Sequence, residues 1–242
     1  MKVIEEPQLA VKRKLPWFID VLLYPASLHG VIQIGIFLFL SFLIGLLSRF
    51  ILSRLGPYAG ILSLGLRVLL IGYIAFYFGY CIFDSSKGGR RAPDIRAEHI
   101  PDKEDFISQL FLILGCVAIC FCPVAIYYGF TQRIDSTFWL LSACGAFFFP
   151  MALLAGVLFD AIHALNPIFI ICSILRTFFT YCGLILSFCA FGGLVFVIVL
   201  TLKRLPFLGF VSNGVNLYLL FVAAHLLGRF YWWHKDKLDW GL

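Results

Sequence analysis

The sequence predicts an all-α fold, a polytopic membrane helix bundle of about six transmembrane helices with an N-terminal interfacial helix. Composition is the first reason. Of 242 residues, 62% are hydrophobic and 13% charged, and the mean hydropathy is +0.97. That leaves too little polar surface to cover a soluble core. The second reason is the length of the apolar runs, which recur at the ~20 residues needed to cross hydrocarbon as helix. The third is the placing of Lys and Arg, which gather between the runs. Secreted, disordered and nucleic-acid-binding classes are therefore excluded. The formal charge of +6 is what orientation in a bilayer and contact with anionic lipid already require.

Residues 1–30 read as a cytoplasmic tail and interfacial helix. Lys12-Arg13-Lys14 precedes an apolar stretch that Asp20 and Pro25 interrupt, which makes a poor signal peptide. Trp17, Val21 and Tyr24 recur at helical spacing, as in a helix lying in the headgroup plane. Residues 31–233 read as a single transmembrane domain. Its first span covers about Val31 to Leu47. The second apolar region, Leu55 to Phe83, contains Arg67, whose charge is expensive in hydrocarbon. Two readings follow: one long helix that buries Arg67 against a partner, or a separate interfacial or re-entrant piece from Gly56-Pro57 to Leu66 with the span starting after Arg67 at the outer headgroup level. The second is favoured. A polar cytoplasmic loop, 84–105, comes next, with Asp102 and Asp105 as a variant capping box for the third span.

The third span, about Phe106 to Phe130, carries Pro123, and the fourth, about Thr137 to Phe159, carries Pro150. Asn166 is a natural N-cap and Pro167 a natural first residue for an amphipathic helix ending at Arg176. The fifth span takes Phe178 to Leu202. The sixth begins between Pro206 and Asn213 and ends near Arg229, followed by an aromatic belt, Tyr231-Trp232-Trp233, and a cytoplasmic tail at 234–242. Of the 19 Lys and Arg residues, thirteen fall on the side of the two termini and six on the other. Both termini are thus expected in the cytoplasm.

Chemistry is sparser. The eight cysteines lie in or beside apolar runs and read as buried, inert thiols rather than a metal site. No metal or cofactor is expected. Asp84 and Asp160 each end a span in a similar context, Ile82-Phe83-Asp84 and Leu158-Phe159-Asp160, and with His163 they could line a transport path. An acidic residue at a span end also simply marks where the chain leaves the membrane. In Lys87-Gly88-Gly89-Arg90-Arg91, glycine N–H groups and arginine forks suit a phosphate or lipid headgroup, although anchoring by positive charge explains the same residues. This is not a Walker loop. His163 and His225 near span ends could clamp a haem, but lone histidines there usually hydrogen-bond. Gly56-x3-Gly60, Ala152-x3-Gly156 and Gly183-x3-Ser187 have the spacing of close helix packing.

From Phe147-Phe148-Phe149-Pro150-Met151-Ala152-Leu153-Leu154 through Phe159-Asp160 to Ala164-Leu165-Asn166-Pro167, the chain resembles uncharacterised multi-pass membrane proteins of planctomycete-type bacteria. Gly88-Gly89-Arg90-Arg91-Ala92-Pro93 and His225-Leu226-Leu227-Gly228-Arg229-Phe230-Tyr231 add to it. More distantly it is similar to the family called domain of unknown function 4013. The resemblance covers most of residues 60 to 235 and implies a helical membrane fold, with no activity and no site residues to carry over. The expected role is that of a non-enzymatic accessory, scaffold or partner-binding subunit in a bacterial inner membrane, touching membrane lipids, anionic ones included, and an unidentified membrane protein. A small transporter or channel is the alternative, and a lipid-headgroup enzyme the third reading.

Overall fold

The computed structural model describes residues 17–50, 58–93, 103–160, 165–202 and 209–240. They form an all-α bundle: α1 Trp17–Leu22, α2 Leu28–Phe50, α3 Tyr58–Ser86, α4 Lys103–Thr131, α5 Ser136–Phe159, α6 Pro167–Arg176, α7 Phe178–Leu202 and α8 Gly209–Leu238. Six of these helices, α2, α3, α4, α5, α7 and α8, are long and apolar enough to cross a membrane. Helices suit that solvent because each satisfies its backbone N–H and C=O groups internally. Lys12 to Lys14, Gly56-Pro57, Asp102 and Lys203-Arg204 lie outside the described residues.

Two expectations about boundaries need correction. No separate piece ends before Arg67: α3 is continuous from Tyr58 to Ser86, with Arg67 exposed on its surface. The run Ala59 to Leu66 holds no proline, and its two glycines are tolerated within a long apolar helix, while a long side chain can carry its charge outward along the helix. Arg67 stands 19 residues before Ser86, a rise of ~28 Å and close to the ~30 Å of hydrocarbon. One continuous helix is thus long enough for Ser86 and Arg67 to stand at opposite boundaries. The sixth span also runs on past Arg229 to Leu238, and Trp240 is buried rather than part of a free tail. Residues 84–86 and 103–105 belong to helices, which shortens the polar loop at both ends.

The bundle is built on two close pairs, α3 with α8 and α4 with α5. Glycine permits both. A Cβ on Gly228 would stand 2.4 Å from the Ile82 carbonyl oxygen and 2.5 Å from Ser85 Cβ, so α8 touches the α3 backbone there. A Cβ on Gly145 would stand 2.6 Å from the Cys120 carbonyl oxygen. Ala152 is buried and Gly156 faces Leu112 and Cys116, so this predicted small-residue pair does pack α5 on α4. Gly60 and Gly183 meet nothing within 4 Å among the described residues, so the other two stripes are not packed against those residues at these glycines.

Aromatic rings fill the space among α2, α3 and α8, where Phe37, Tyr77 and Phe221 meet with ring centres 5.0 to 6.0 Å apart. Beside them the buried Gln33 amide donates to the Tyr73 hydroxyl at 2.9 Å, joining α2 to α3. The α5 and α8 spans are half buried, whereas only 6% of α7's apolar stretch is; α7 lies on the bundle's edge. Four cysteines, Cys122, Cys144, Cys172 and Cys189, are exposed, contrary to the expectation that all eight are buried. On an apolar helix surface a thiol is as well placed against lipid as in a core.

Tight turns close the ends. Asp135 caps α5 by accepting the Phe138 N–H at 3.1 Å, and the Tyr127 hydroxyl donates to its other oxygen at 2.6 Å. The Tyr127 hydroxyl first, then the Phe138 N–H, hold this carboxyl below its usual range. Asn166 accepts from the Ile168 N–H and Pro167 opens α6, as the sequence predicts.

Two outcomes test this packing. Gly228→Ala must displace backbone, and overpacking of that kind costs roughly 1–3 kcal/mol; Gly183→Ala, in open space, should leave the melting temperature in detergent unchanged. An unchanged Gly228→Ala would refute the close approach. A depressed carboxyl pKa adds stability above the unfolded value of about 3.9 and loses it as pH falls through the folded one. Asp135→Asn should therefore flatten the loss of stability between about pH 5 and 2, and an unaltered acid limb would count against the cap.

Candidate functional site

The polar residues that α3 carries at its end converge with α8 and the turn after α1. Cys81, Asp84 and Ser85 are spaced i, i+3 and i+4, so they share one face of α3. His225 on α8 meets that face: its Nδ1 and the Ser85 hydroxyl share a hydrogen bond of 2.7 Å. The Tyr24 ring stacks on the imidazole with centroids 3.9 Å apart and planes 13° from parallel. Ser85 is 0% exposed, and Tyr24 and His225 are each 1% exposed. The Tyr24 hydroxyl lies beside Ser85 and Cys81, without a hydrogen bond to either of ordinary geometry. Burial pushes this phenol well above its ordinary range, so it stays neutral.

The chain leaves α3 through a tight turn. Lys87 N–H and Gly89 N–H donate to the Asp84 carbonyl, and Gly88 N–H donates to that of Ser85. Gly88 adopts φ 96°, a conformation open to glycine and uncommon for other residues. The Asp84 side chain folds over the turn, with Oδ2 2.0 Å from where a Cβ on Gly89 would stand. That oxygen is buried, with no hydrogen-bond partner among the described residues. The Lys87 ammonium is the nearby opposite charge and sits 4.0 Å from the centre of the Phe83 ring. Beyond Gly89 the chain turns back along α3, where Tyr77 donates to the Pro93 carbonyl at 3.3 Å and Ala92 is buried.

The predicted site residues meet different fates. Lys87, Gly88, Gly89, Arg90 and Arg91 are consecutive in this turn, with Lys87 and Arg91 exposed and Arg90 half-buried. The Gly88 and Gly89 N–H groups point to α3 carbonyls, so a phosphate here would meet side-chain cations rather than these amides. Asp84 and Asp160 stand in unlike surroundings: the first is partly buried against Gly89, the second is exposed at the end of α5 with φ 46°. His163 lies outside the described residues. His225 is held by Ser85 and Tyr24.

Sequence reasoning missed Tyr24, Ser85 and the reach of α8. Trp240 packs on Phe159, Phe169 and Tyr231 with ring centres 5.4 to 5.6 Å apart, and its indole donates to Ser173 at 3.0 Å. Arg176 donates to the Leu238 carbonyl at 3.0 Å, and Tyr218 to that of Leu22. α6 is thus joined to the end of α8, and α1 to its middle. The signal lay in His225 and Gly228, three apart and therefore facing one neighbour, but nothing in the sequence named that neighbour.

A serine beside an imidazole is the pairing of nucleophilic catalysis. Here both groups are sealed and the ring face is covered by Tyr24, so the pair joins helices rather than presenting a nucleophile. No match was found to a known protein family, a curated protein sequence or a solved structure.

Ser85→Ala should lower stability by about 0.5–2 kcal/mol, the range for losing a buried hydrogen bond that also ties helices in a membrane. Combined with His225→Ala it should cost less than the two single changes added, since the second removes the group that the first strands. Strict additivity of the unfolding energies would break the link.

Proposed function

We propose that the chain is a non-enzymatic subunit of a bacterial inner membrane, an accessory or scaffold for another membrane protein, with both termini in the cytoplasm. The observation that carries the reading is the sealed junction of Tyr24, Ser85 and His225, which are each at most 1% exposed. The side chains best able to do chemistry are used to hold α1, α3 and α8 together. The cytoplasmic placing of this end follows from the excess of Lys and Arg on its side. The bacterial setting rests on the resemblance carried by residues 147–167 and 225–231.

The competing reading is a small transporter with a path near Asp84 and Asp160. What favours it is the Asp84 carboxylate oxygen, buried without a hydrogen-bond partner among the described residues. Cys81, one turn before Asp84 and 0% exposed, is a native probe for it. In membrane vesicles a water-soluble maleimide should leave Cys81 unmodified by peptide mass spectrometry. It should modify a cysteine replacing Arg91 from the cytoplasmic face and one replacing Gln132 from the other face. Rapid modification of Cys81 would favour a hydrated path, and reversal of the other two sites would invert the orientation. Crosslinking in intact membranes before mild-detergent purification should recover a second membrane protein in fixed ratio. Recovery of this chain alone would end the scaffold reading.

A further inference from the structure

The turn after α3 is seated on the last turns of α8. A Cβ on Gly88 would stand 3.2 Å from Cη2 and Cζ2 of Trp232, so the turn lies on that indole and carries Arg90 toward Arg229. The two guanidiniums, one from the turn after α3 and one from α8, lie within electrostatic reach of each other, and Asp20 of α1 supplies an opposing charge to Arg229. The Arg229 guanidinium sits 5.3 Å from the Trp233 ring centre, and the Lys235 ammonium 4.7 Å from that of Trp232. Both indoles are exposed, Trp232 at 37% and Trp233 at 49%. Phe83, exposed at 39% beneath Lys87, continues the apolar surface down α3.

We infer that Arg90 and Arg229, with the Trp232 and Trp233 indoles, form a binding site for the phosphate of an anionic phospholipid. Two like charges held together outside bulk water repel, and an anion between them reverses the sign of that interaction. Arginine forks match phosphate oxygens. Exposed indoles beside apolar spans lie at the headgroup level. A free phosphate ion would use the guanidiniums and leave the indoles idle, so the occupant is a lipid. The sequence alone points to residues 87–91; the geometry moves the centre to Arg90 and adds α8.

The test is native mass spectrometry and vesicle flotation of the full chain with phosphatidylglycerol, phosphatidylcholine and inorganic phosphate as separate probes. Phosphatidylglycerol should be retained over phosphatidylcholine, and inorganic phosphate should not displace it. Removing both charges with Arg90→Gln and Arg229→Gln should weaken retention by about thirtyfold, taking roughly 1 kcal/mol per cation at an anionic surface. Arg91→Gln with Lys237→Gln, the same loss of two charges at exposed positions outside the site, should weaken retention several-fold less. Equal losses in the two double variants would show diffuse attraction and overturn the site, as would displacement of the lipid by phosphate. If the variant lacking Arg90 and Arg229 does not fold, Arg90→Gln alone, on the irregular segment after α3, decides: unchanged retention overturns the inference. None of these outcomes depends on whether the chain has a protein partner.

Discussion

The approach of α8 to α3 at Gly228 is the constraint on which the surrounding structure depends. At that point two backbones are close enough that a methyl group would displace a carbonyl. Three residues before it, His225 is therefore held within hydrogen-bond distance of Ser85. Lipid offers no competing water, but it also removes the hydrophobic drive between helices, so packing and polar ties must supply association. The glycine contact supplies the first, and the serine–imidazole bond supplies the second and sets the register. Tyr24 then closes over the imidazole, which is why a helix as short as α1 is placed at all.

The same contact divides the bundle. With α3 and α8 joined, α2 covers one side through Phe37 and the Gln33–Tyr73 bond. On another side α4 and α5 are joined by glycines of their own. α7 packs on α8, where Tyr181 meets Phe230 with ring centres 6.0 Å apart, and the Tyr181 hydroxyl donates to the Phe147 carbonyl of α5. Its glycines Gly183, Gly192 and Gly193 face away from the described residues. A helix so placed requires only that its surface be apolar. The cysteines divide in the same way: Cys81 and Cys116 lie at the close pairs, whereas Cys189 is on the outer surface of α7.

Local chemistry was legible in the sequence, and long-range pairing was not. Asn166-Pro167 announces the start of α6 because a cap and a first-turn proline act within three residues, and the structure begins the helix there. The six apolar spans are legible for the same reason, since each is a property of one continuous run. Arg67 misled because a charge was weighed against hydrocarbon without its position along a longer helix, and helix continuity outweighs one side chain that can reach a boundary. The end of α8 misled for the opposite reason: Lys235, Asp236 and Lys237 read as a polar tail, yet Leu238 and Trp240 on the other face are buried at 1% and 7% exposure. Of the candidate site, the cations after α3 were visible as a cluster. Their neighbours on α8 lie about 140 positions away, as Ser85 and His225 do, and no local pattern encodes such a distance.

The two ends of the bundle are held by different physics. At the end with α6 and the tip of α8, elements are joined by groups far apart in sequence: Arg176 to Leu238 and Trp240 to Ser173. At the opposite end the described ties are local, as in the Asp135 cap with Tyr127 only eight residues away. Long-range ties resist separation of the helices, whereas local ones only shape the turn that joins two of them. The end carrying Arg90, Arg229 and the tryptophans has ties of the first kind. A surface whose charges come from the turn after α3 and from α8 needs them, because a small shift of α8 along α3 would separate the guanidiniums. The Gly228 contact that joins the helices thus also holds the cationic face together.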